Sequence, residues 1–291
     1  MTDAELRALD ERIERALDTG DESELDVIGY GEISSVVSCG GFACKRLPLF
    51  DSEARLDAYR DVFARYLAAL RERGVAVVDS ELRAISTAGG IALYCVQPIV
   101  PADRLAVRYL ASAAETDAVA LFDAVLDRML AAIAPDLGLD AQLSNWVLSD
   151  DGGAGGVAFI DVTTPLLRDA GGREALDTDL FLASLPWALR GVVRRFFLRG
   201  ILATYYDPRA AIVDLLGNLH KERLERLIPA FLDRANLRLD QAIDEREVRR
   251  YYASDARTWS SLLWLRRLDR GWQTKIRRRQ YPFLLPGRIA R

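Results

Sequence analysis

The amino-acid sequence predicts an α+β protein with two lobes, a small β-rich lobe followed by a larger, mainly helical one. Short strand-like runs dominate between residues 25 and 98, and they are interrupted by a single long amphipathic helix. Helical periodicity dominates from about residue 103 onward. The 291 residues, half of them hydrophobic, are enough to bury a large core in one domain or in two closely packed lobes.

The first segment, residues 1–24, is predicted to be a helix and a connector. Thr2 followed by Glu5 is typical of a capping box, and four apolar residues fall on one face of residues 2–17: Leu6, Leu9, Ile13 and Leu17. Residues 18–24 are polar and predict a connection rather than a further turn of helix.

The second segment, residues 25–98, is predicted to form the β-rich lobe. Its strand-like runs cover residues 27–31, 35–38, 42–47, 75–86 and 91–100, and Gly40-Gly41 between the second and third runs predicts a hairpin. Residues 52–73 carry apolar positions at helical spacing and are followed by Gly74, which predicts a long helix.

The third segment, residues 99–291, is predicted to be the helical lobe. Residues 103–134 are strongly helical in pattern, and Pro135 and Gly138 break that pattern. Two short strand-like runs follow, 146–148 and 157–160, with a glycine-rich turn at 149–156 between them. Residues from about 174 to 280 predict further helices.

Overall charge argues against a nucleic-acid-binding protein, because the formal net charge is −4 and the sequence pI is about 5.3. The charge is uneven, with a balance of −7 over residues 1–26 and +8 over residues 259–291. We favour two ends that are solvated, or that lie against each other, over a basic tail that meets an anionic partner. We also expect the amphipathic helix that bears Leu268 and Trp272 to pack on its own lobe rather than dock on an anionic membrane or a partner.

The inventory of reactive side chains excludes several kinds of site. The three cysteines match no metal motif, and a single histidine gives little support to a zinc site or a Ser/His/Asp triad. The N-terminus lacks an apolar signal segment, and no stretch approaches the ~18 apolar residues of a membrane span. We therefore expect a soluble, cytoplasmic protein with reduced thiols.

Two features of the β-rich segment suit the binding of phosphate groups. The turn Gly29-x-Gly31-x-x-Ser34 lies between strand-like runs, where glycines let backbone amides approach anionic oxygens. Lys45 lies on the following strand. Only three of the 39 basic residues are lysine, which favours a requirement for a compact ammonium group at position 45.

Two features of the helical segment suit a metal ion and a hydroxyl acceptor. Asp140 and Asn145 are five residues apart, and Asp161 follows an apolar strand-like run 16 residues after Asn145. A carboxylate can accept or orient the proton of an acceptor hydroxyl. A second carboxylate and an amide oxygen are hard ligands that suit Mg²⁺.

Together these residues resemble the protein-kinase-like superfamily, most closely its small-molecule branch of aminoglycoside phosphotransferases and choline kinases. The glycine turn, strand lysine, D-x-x-x-x-N and strand-terminal aspartate occur in the order of that family over residues 25–170. The resemblance implies ATP and Mg²⁺ as cofactors, Asp140 as catalytic base or orienting group, and Asn145 and Asp161 as metal ligands. It implies that Lys45 and the glycine turn contact phosphates and that Val96 and Gln97 lie at the adenine-binding hinge between the lobes.

The sequence departs from the family pattern at three places. Gly138 stands where the family has a histidine before the catalytic aspartate, Asp161-Val162-Thr163 replaces Asp-Phe-Gly, and Ser34 replaces a third glycine. The acidic partner of Lys45 is left open among three residues of the following helix: Glu53, Asp57 and Asp61.

The expected function is transfer of a phosphoryl group from ATP to a hydroxyl of a small molecule. The missing histidine and altered glycine turn leave open a pseudokinase, a nucleotide-binding or regulatory module without catalysis. A protein kinase is disfavoured, because an activation segment ending in an Ala-Pro-Glu-like motif is not evident. The acceptor, the choice between ATP and GTP, and the oligomeric state are not predicted.

Overall fold

The structure is a computed structural model of the chain, and it describes residues 1–30, 35–149, 156–183, 185–276 and 281. The architecture is α+β, as predicted. Its elements fall into the predicted order, with the strands of the main sheet preceding the bulk of the helices.

The first part of the chain forms a five-stranded sheet and two long helices. The sheet has the order β1-β2-β3-β6-β5, and each neighbouring pair is antiparallel. In chain order the elements are α1 (Asp3–Thr19), β1 (Val27–Tyr30), β2 (Ser35–Cys39), β3 (Phe42–Arg46), α2 (Glu53–Glu72), β4 (Ala76–Val77), β5 (Glu81–Thr87) and β6 (Gly90–Pro98).

The second part is mainly helical and contains one hairpin. Its helices are α3 (Ala106–Ser112), α4 (Glu115–Ala132), α5 (Thr178–Leu182), α6 (Trp187–Val192), α7 (Leu198–Tyr205), α8 (Pro208–Lys221), α9 (Ile228–Asn236) and α10 (Glu245–Gly271). The hairpin is formed by β7 (Trp146–Leu148) and β8 (Val157–Phe159). Short 3₁₀ turns lie at Ala102–Arg104, Leu143–Asn145 and Glu225–Leu227, and π-helical turns at Val193–Phe197 and Trp272–Ile276.

The single strand predicted over residues 75–86 is wrong, because the structure divides it into β4 and β5. β4 leaves the main sheet and pairs in parallel with β8, and the Val78 amide donates to the carbonyl of Phe159. The Ser80 hydroxyl donates to the carbonyl of Val78 at 2.7 Å, which closes a local turn before β5. The small strand β4 thus joins the main sheet's segment to the hairpin of the helical part.

The main sheet is covered on both faces, and β6 shows how its residues are divided. Tyr94 and Val96 point to the face that packs against α1, whereas Leu93 and Cys95 join the larger core that contains α2 and the helical part. All four residues are buried, as the two-residue period of a strand requires when both faces are covered.

Helix α1 packs on the sheet with the apolar face predicted from the sequence. The capping box between Thr2 and Glu5 is present, and the apolar residues of the predicted face are all buried: Leu6, Leu9, Ile13 and Leu17. Polar contacts fix the helix further, because Asp10 accepts a 2.5 Å hydrogen bond from Tyr94 and lies 3.1 Å from the guanidinium of Arg46. Arg46 also pairs with Glu14.

The oppositely charged ends of the sequence lie against each other, which is one of the two arrangements favoured from the sequence. A cleft of about 320 Å³ lies between the end of α1 and the last helix. It is lined by residues 17–20 and by Arg267, Arg270 and Lys275. The last turn of α1 carries no basic residue of its own. Arg270 therefore brings a positive charge to the negative end of the α1 dipole.

A search of the described helices found none with both the length and the apolar character needed to cross a bilayer.

Replacement of Gly20 by alanine is expected to destabilise the protein by about 1–2 kcal/mol, since Gly20 ends α1 in the left-handed conformation with a φ of 77°. A Cβ atom there would also lie 2.7 Å from Nη2 of Arg270. Urea unfolding measures the change. Gly200→Ala is the matched control, because Gly200 lies in α7 with open space around it, and alanine should gain about 0.5–1 kcal/mol there. Equal effects of the two substitutions would contradict this account of Gly20.

Candidate functional site

Strand β3 directs Lys45 and its neighbours to opposite sides of the sheet. Cys44 and Arg46 face α1, where Cys44 is buried and Arg46 pairs with acidic residues. Lys45 lies beside Cys95 in the ladder with β6, and Cys95 belongs to the core on the other face. The two-residue period of the strand therefore aims Lys45 away from α1 and toward the helical part.

Lys45 forms an ion pair with Asp161, which lies 116 residues later in the chain. Its Nζ atom donates to Oδ1 at 2.8 Å and to Oδ2 at 3.0 Å. The lysine side chain is 17% exposed and the aspartate 31% exposed, so the pair lies at an opening rather than deep in the core. The pair joins the five-stranded sheet to the segment that follows the β7–β8 hairpin.

Asp161 is held in its ionised form. Burial raises the pKa of its carboxyl group, but attraction to Lys45, together with hydrogen bonds from Lys45 and Thr163, outweighs burial and leaves the pKa below its ordinary value. The Thr163 hydroxyl donates to Oδ1 at 2.9 Å. Oδ2 receives only the Lys45 bond among the hydrogen bonds of the described residues, so it retains a lone pair directed away from Lys45.

Helix α2 supports both halves of the site through tyrosine residues, which the sequence analysis did not single out. The Tyr59 hydroxyl donates to the carbonyl of Thr163 at 3.0 Å, and the Tyr66 hydroxyl donates to the carbonyl of Gly138 at 3.2 Å. Both tyrosines are buried. Their spacing of seven residues places them on one face of the helix. The helical spacing that buries both rings therefore also directs both hydroxyl groups to the site.

The three acidic residues considered as partners of Lys45 lie elsewhere. Asp57 pairs with Arg60 and Asp61 pairs with Arg65, both on the exposed side of α2. Glu53 is exposed in the first turn of α2. Within the described residues, the ion pair of Lys45 is with Asp161.

The predicted catalytic loop is a compact turn just before β7. The Asn145 side-chain amide donates to the carbonyl of Asp140 at 3.0 Å, which closes the five-residue spacing noted in the sequence. Trp146 is fully buried under the loop and its indole N–H donates to the carbonyl of Ala141 at 3.2 Å. Because the amide nitrogen of Asn145 points to Asp140, its Oδ1 is directed elsewhere.

The loop is joined directly to the Asp161 segment. The Ile160 amide, one residue before Asp161, donates to the carbonyl of Asn145 at 2.9 Å. Burial, followed by the negative charges of Asp140 and Asp161, raises the pKa of Tyr66 far above its ordinary value. Both carboxylates thus act on one buried hydroxyl, and the structure brings Lys45, Asp140, Asn145 and Asp161 into one neighbourhood.

Gly138, two residues before Asp140, is closely surrounded. A Cβ atom there would meet Leu166 at 3.0 Å, and the carbonyl oxygen of Tyr205 and the ring of Tyr206 at 3.1 Å each. The amide of Leu139 also donates to the carbonyl of Tyr205 at 3.0 Å. The end of α7 therefore fills the space that a larger side chain at position 138 would need, and it anchors the loop from outside.

The predicted hinge residues lie at the end of β6. Val96 is buried and pairs with Cys44 on one side and Glu81 on the other. The Gln97 side-chain amide donates to the carbonyl of Ile160 at 2.8 Å and to the Ser80 hydroxyl at 2.9 Å. Gln97 thus ties the last strand of the sheet to the residue before Asp161.

The predicted glycine turn is described only at its first residue. Gly29 lies in β1 opposite Val36, at a register shift between β1 and β2. Gly31 and Ser34 lie outside the described residues.

A second buried carboxylate, which the sequence analysis did not identify, lies beside the loop. Asp214 of α8 accepts a 2.6 Å hydrogen bond from the Tyr251 hydroxyl and a 3.1 Å bond from Asn218. Gln142, which lies in the Asp140–Asn145 loop, also hydrogen-bonds to Asp214. Burial raises the pKa of Asp214 to about 6, although the Tyr251 bond favours the ionised form.

The donor set fits Mg²⁺ only in combination with ligands from outside the chain. In the described part of the chain, no three His, Cys, Asp or Glu side chains cluster as a metal cage would require. Asp161 Oδ2 and Asn145 Oδ1 supply two hard oxygen donors at neighbouring positions. That number suits Mg²⁺, which commonly takes one or two protein ligands together with phosphate oxygens and water.

Replacement of Lys45 by methionine is expected to lower the free energy of unfolding by about 1–2 kcal/mol at pH 7, less than for a fully buried pair because Asp161 is partly exposed. The native pKa of Asp161 is depressed, so the pair stabilises above the unfolded pKa of about 4 and its contribution is lost as the pH falls through the native pKa. The deficit of the variant should therefore shrink at pH 4 and below.

Urea unfolding at pH 7 and at about pH 3, below the unfolded pKa, measures this deficit. Lys221→Met is the matched control, because Lys221 lies 3.8 Å from Glu222 in a partly exposed pair. A deficit that is the same at both pH values, or that Lys221→Met reproduces, would contradict the role given to the pair.

Replacement of Asp214 by asparagine is expected to raise the free energy of unfolding at pH 7 and to change it little at pH 4. The raised native pKa means that ionising the buried carboxyl group costs stability in the wild type. This cost is absent below the unfolded pKa of about 4 and reaches on the order of 2 kcal/mol as the pH rises through about 6. Asparagine keeps an acceptor for Tyr251 without the charge. Melting temperatures of both proteins between pH 4 and pH 7 test this, and a difference independent of pH would refute it.

The sequence comparisons give a family but no activity. No curated protein matches the chain. A family model described as "Family of unknown function (DUF6206)" matches residues 8–270, from the first helix to the end of the last. The match covers most of the chain, and the protein therefore belongs to the DUF6206 family.

Proposed function

We propose that this protein is an ATP- and Mg²⁺-dependent phosphotransferase that acts on a hydroxyl group of a small molecule. The observation that carries the proposal is the ion pair between Lys45 and Asp161, which is joined to the Asp140–Asn145 loop through the bond from Ile160 to Asn145. A basic group and oxygen donors thereby share one opening between the sheet and the helical part.

The fold proposed with this activity is a two-lobed protein-kinase-like fold. The order β1-β2-β3-β6-β5, with α2 inserted after the lysine-bearing strand, supports the β-rich lobe. The β7–β8 hairpin, with Asp140 and Asn145 before it and Asp161 after it, supports the helical lobe. The proposed boundaries are residues 25–98 and 99–291, with residues 1–24 as an added helix and connector.

The proposed nucleotide site lies between these lobes. Lys45 would neutralise phosphate oxygens. The kinase resemblance also assigns phosphate contacts to the glycine turn, of which Gly29 lies in β1. The strand end at Gln97, which is partly buried, would receive adenine, while Val96 is buried beside it. Gln97 holds this strand end to Ile160, so the adenine and phosphate contacts belong to one bonded unit.

The proposed metal site uses Asp161 and Asn145. When bound, Mg²⁺ would neutralise charge on the transferring phosphoryl group. Asp161 is ionised, and the remaining lone pair of its Oδ2 suits this role, because Lys45 and Thr163 orient the carboxylate through bonds to Oδ1 and Lys45 alone bonds Oδ2 among the described residues. Asn145 is fixed by its bond to the Asp140 carbonyl, so its Oδ1 needs little reorganisation to act as a ligand.

Asp140 is proposed to orient the acceptor hydroxyl and receive its proton. The loop that carries it is held by buried contacts on three sides, from Tyr66, Trp146 and Tyr205. Such anchoring would limit the movement of the Asp140 carboxylate relative to a bound acceptor, which is how positioning contributes to catalysis.

The test is phosphoryl transfer by the purified chain with Mg²⁺ and ATP, followed by ³¹P NMR with a panel of sugars, amino alcohols and aminocyclitols. Asp140→Ala and Asp161→Asn are expected to lower turnover by at least about 100-fold, since general-base and electrostatic contributions have that magnitude. Asp57→Asn is the matched control, because Asp57 is an exposed carboxylate on α2 and its loss should leave turnover unchanged.

Thermal shift with Mg·ATP separates the remaining outcomes. A ligand that binds the native state raises the melting temperature, and Asp161→Asn should remove the magnesium-dependent part of that rise. A shift without turnover on any acceptor would favour a nucleotide-binding module over an enzyme. Turnover that survives both site substitutions would refute the proposed mechanism.

A further inference from the structure

The end of α10 and the π-helical turn after it display a line of large apolar side chains to solvent. These residues are spaced four apart and therefore lie above one another along the helix: Trp264 (61% exposed), Leu268 (51%), Trp272 (49%) and Ile276 (63%). The helix packs on α8 and α9 of its own lobe, as expected from the sequence, but Leu268 and Trp272 do not share in that packing, because roughly half of each side chain is exposed. We name these four residues the apolar stripe.

The charges that accompany the apolar stripe are positive. Arg267 and Lys275 are exposed between its members, and Arg270 is half-buried. The one acidic residue of the segment, Asp269, is buried and accepts a 2.8 Å hydrogen bond from Gln273. In sequence, residues 277–291 add five arginines and no acid.

The opposite face of the same helix is firmly packed. Arg266 is buried on that face and interacts with Tyr281, a buried residue beyond the helix. Burial raises the pKa of Tyr281, and the charge of Arg266 and its hydrogen bond oppose that rise. Arg270 meets the end of α1. The helix is thus held by one face while the apolar stripe points outward, which is the arrangement of a helix whose second face serves another surface.

We propose that the apolar stripe and its basic flanks dock the protein on the surface of an anionic lipid bilayer. Two tryptophans with leucine and isoleucine on one face, bordered by an exposed arginine and lysine, match the composition of helices that lie in the interface of a membrane. The positive flanks complement the negative surface potential of such a bilayer. The protein's net charge of −4 makes this local positive surface the part that would turn toward the lipid.

A lipid surface fits these residues better than a protein partner does. Protein interfaces concentrate aromatic residues in a core rimmed by mixed polar groups and are depleted in lysine. Here the apolar residues form a narrow line about three turns long, and the exposed charged residues among them on the helix, Arg267 and Lys275, are both cationic. A shallow, one-sided insertion of that shape suits the boundary between headgroups and acyl chains.

The test is flotation of the full chain with vesicles of phosphatidylcholine alone and of phosphatidylcholine with phosphatidylserine. Binding is expected to the mixed vesicles, weakened by salt, with a blue shift of tryptophan fluorescence as Trp264 and Trp272 leave water. Trp264→Ser combined with Trp272→Ser, and separately Arg267→Glu combined with Lys275→Glu, are each expected to weaken binding by at least about tenfold.

Two matched controls distinguish binding through the apolar stripe from nonspecific binding by other surface residues. Leu237→Ser removes an apolar side chain that is 73% exposed elsewhere, and Arg257→Glu reverses an exposed charge earlier on α10. Both should bind vesicles like the wild type. Circular dichroism and melting temperature establish that every variant is folded, so a loss of binding is not a loss of structure.

The proposal is overturned if the protein ignores both kinds of vesicle or binds neutral and anionic ones equally. Vesicle binding that survives both double substitutions would place the contact elsewhere and overturn it too. A dimer in solution that the tryptophan substitutions dissociate, without vesicle binding, would assign the apolar stripe to a second copy of the chain. Vesicle binding is measured without nucleotide. A negative result in that assay therefore does not bear on the proposed phosphotransfer, and a negative result in the phosphotransfer assay does not bear on vesicle binding.

Discussion

The ion pair of Lys45 and Asp161 is the contact on which the arrangement of the candidate site depends. A lysine on the central strand of the sheet and an aspartate after the distant hairpin meet at 2.8 Å, although 116 residues separate them in sequence. The pair is partly buried, so each charge needs the other for compensation. The same bond therefore holds two parts of the chain in register and keeps a carboxylate ionised at the opening between them.

Neutral hydrogen bonds to backbone carbonyls surround that pair and set its geometry. Tyr59 and Tyr66 of α2 reach the segments that carry Asp161 and Asp140, and Gln97 reaches the carbonyl of Ile160. Because Tyr59, Tyr66 and Gln97 bond to carbonyl groups, they fix the backbone of both segments without occupying a carboxylate oxygen. The site is thus organised by uncharged groups around one charged pair, which favours a fixed geometry with exposed oxygen donors.

The two ends of the described chain are also held together by groups of opposite charge. An acidic first helix packs on the outer face of the sheet, and the basic last helix reaches its C-terminus, where Arg270 approaches Gly20. This contact uses one face of the last helix and leaves the apolar stripe on the other. The helix that ties the ends together is therefore also the surface proposed to meet lipid.

Much of the local structure could be predicted from sequence, and the four residues chosen there as a candidate site lie in segments that the structure joins. The capping box of Thr2, the apolar face of α1 and the hairpin at Gly40-Gly41 depend on local patterns, and the structure has each of them. The division of residues 75–86 could not be predicted, because β4 pairs with β8, some eighty residues away. The role of Tyr66 could not be predicted either. Its position in the apolar pattern of α2 predicts burial, but not a hydrogen bond to the carbonyl of the distant Gly138.

What the sequence by itself determined was the set of elements and the residue types able to do phosphate chemistry, because periodicity, caps and turn residues act over a few positions. Only the tertiary structure decided which of those residues meet. It chose Asp161 rather than an acid of α2 as the partner of Lys45, filled the space around Gly138 with α7, and left Trp264 and Trp272 in water. Each of these outcomes depends on the packing of distant segments, which no local pattern encodes.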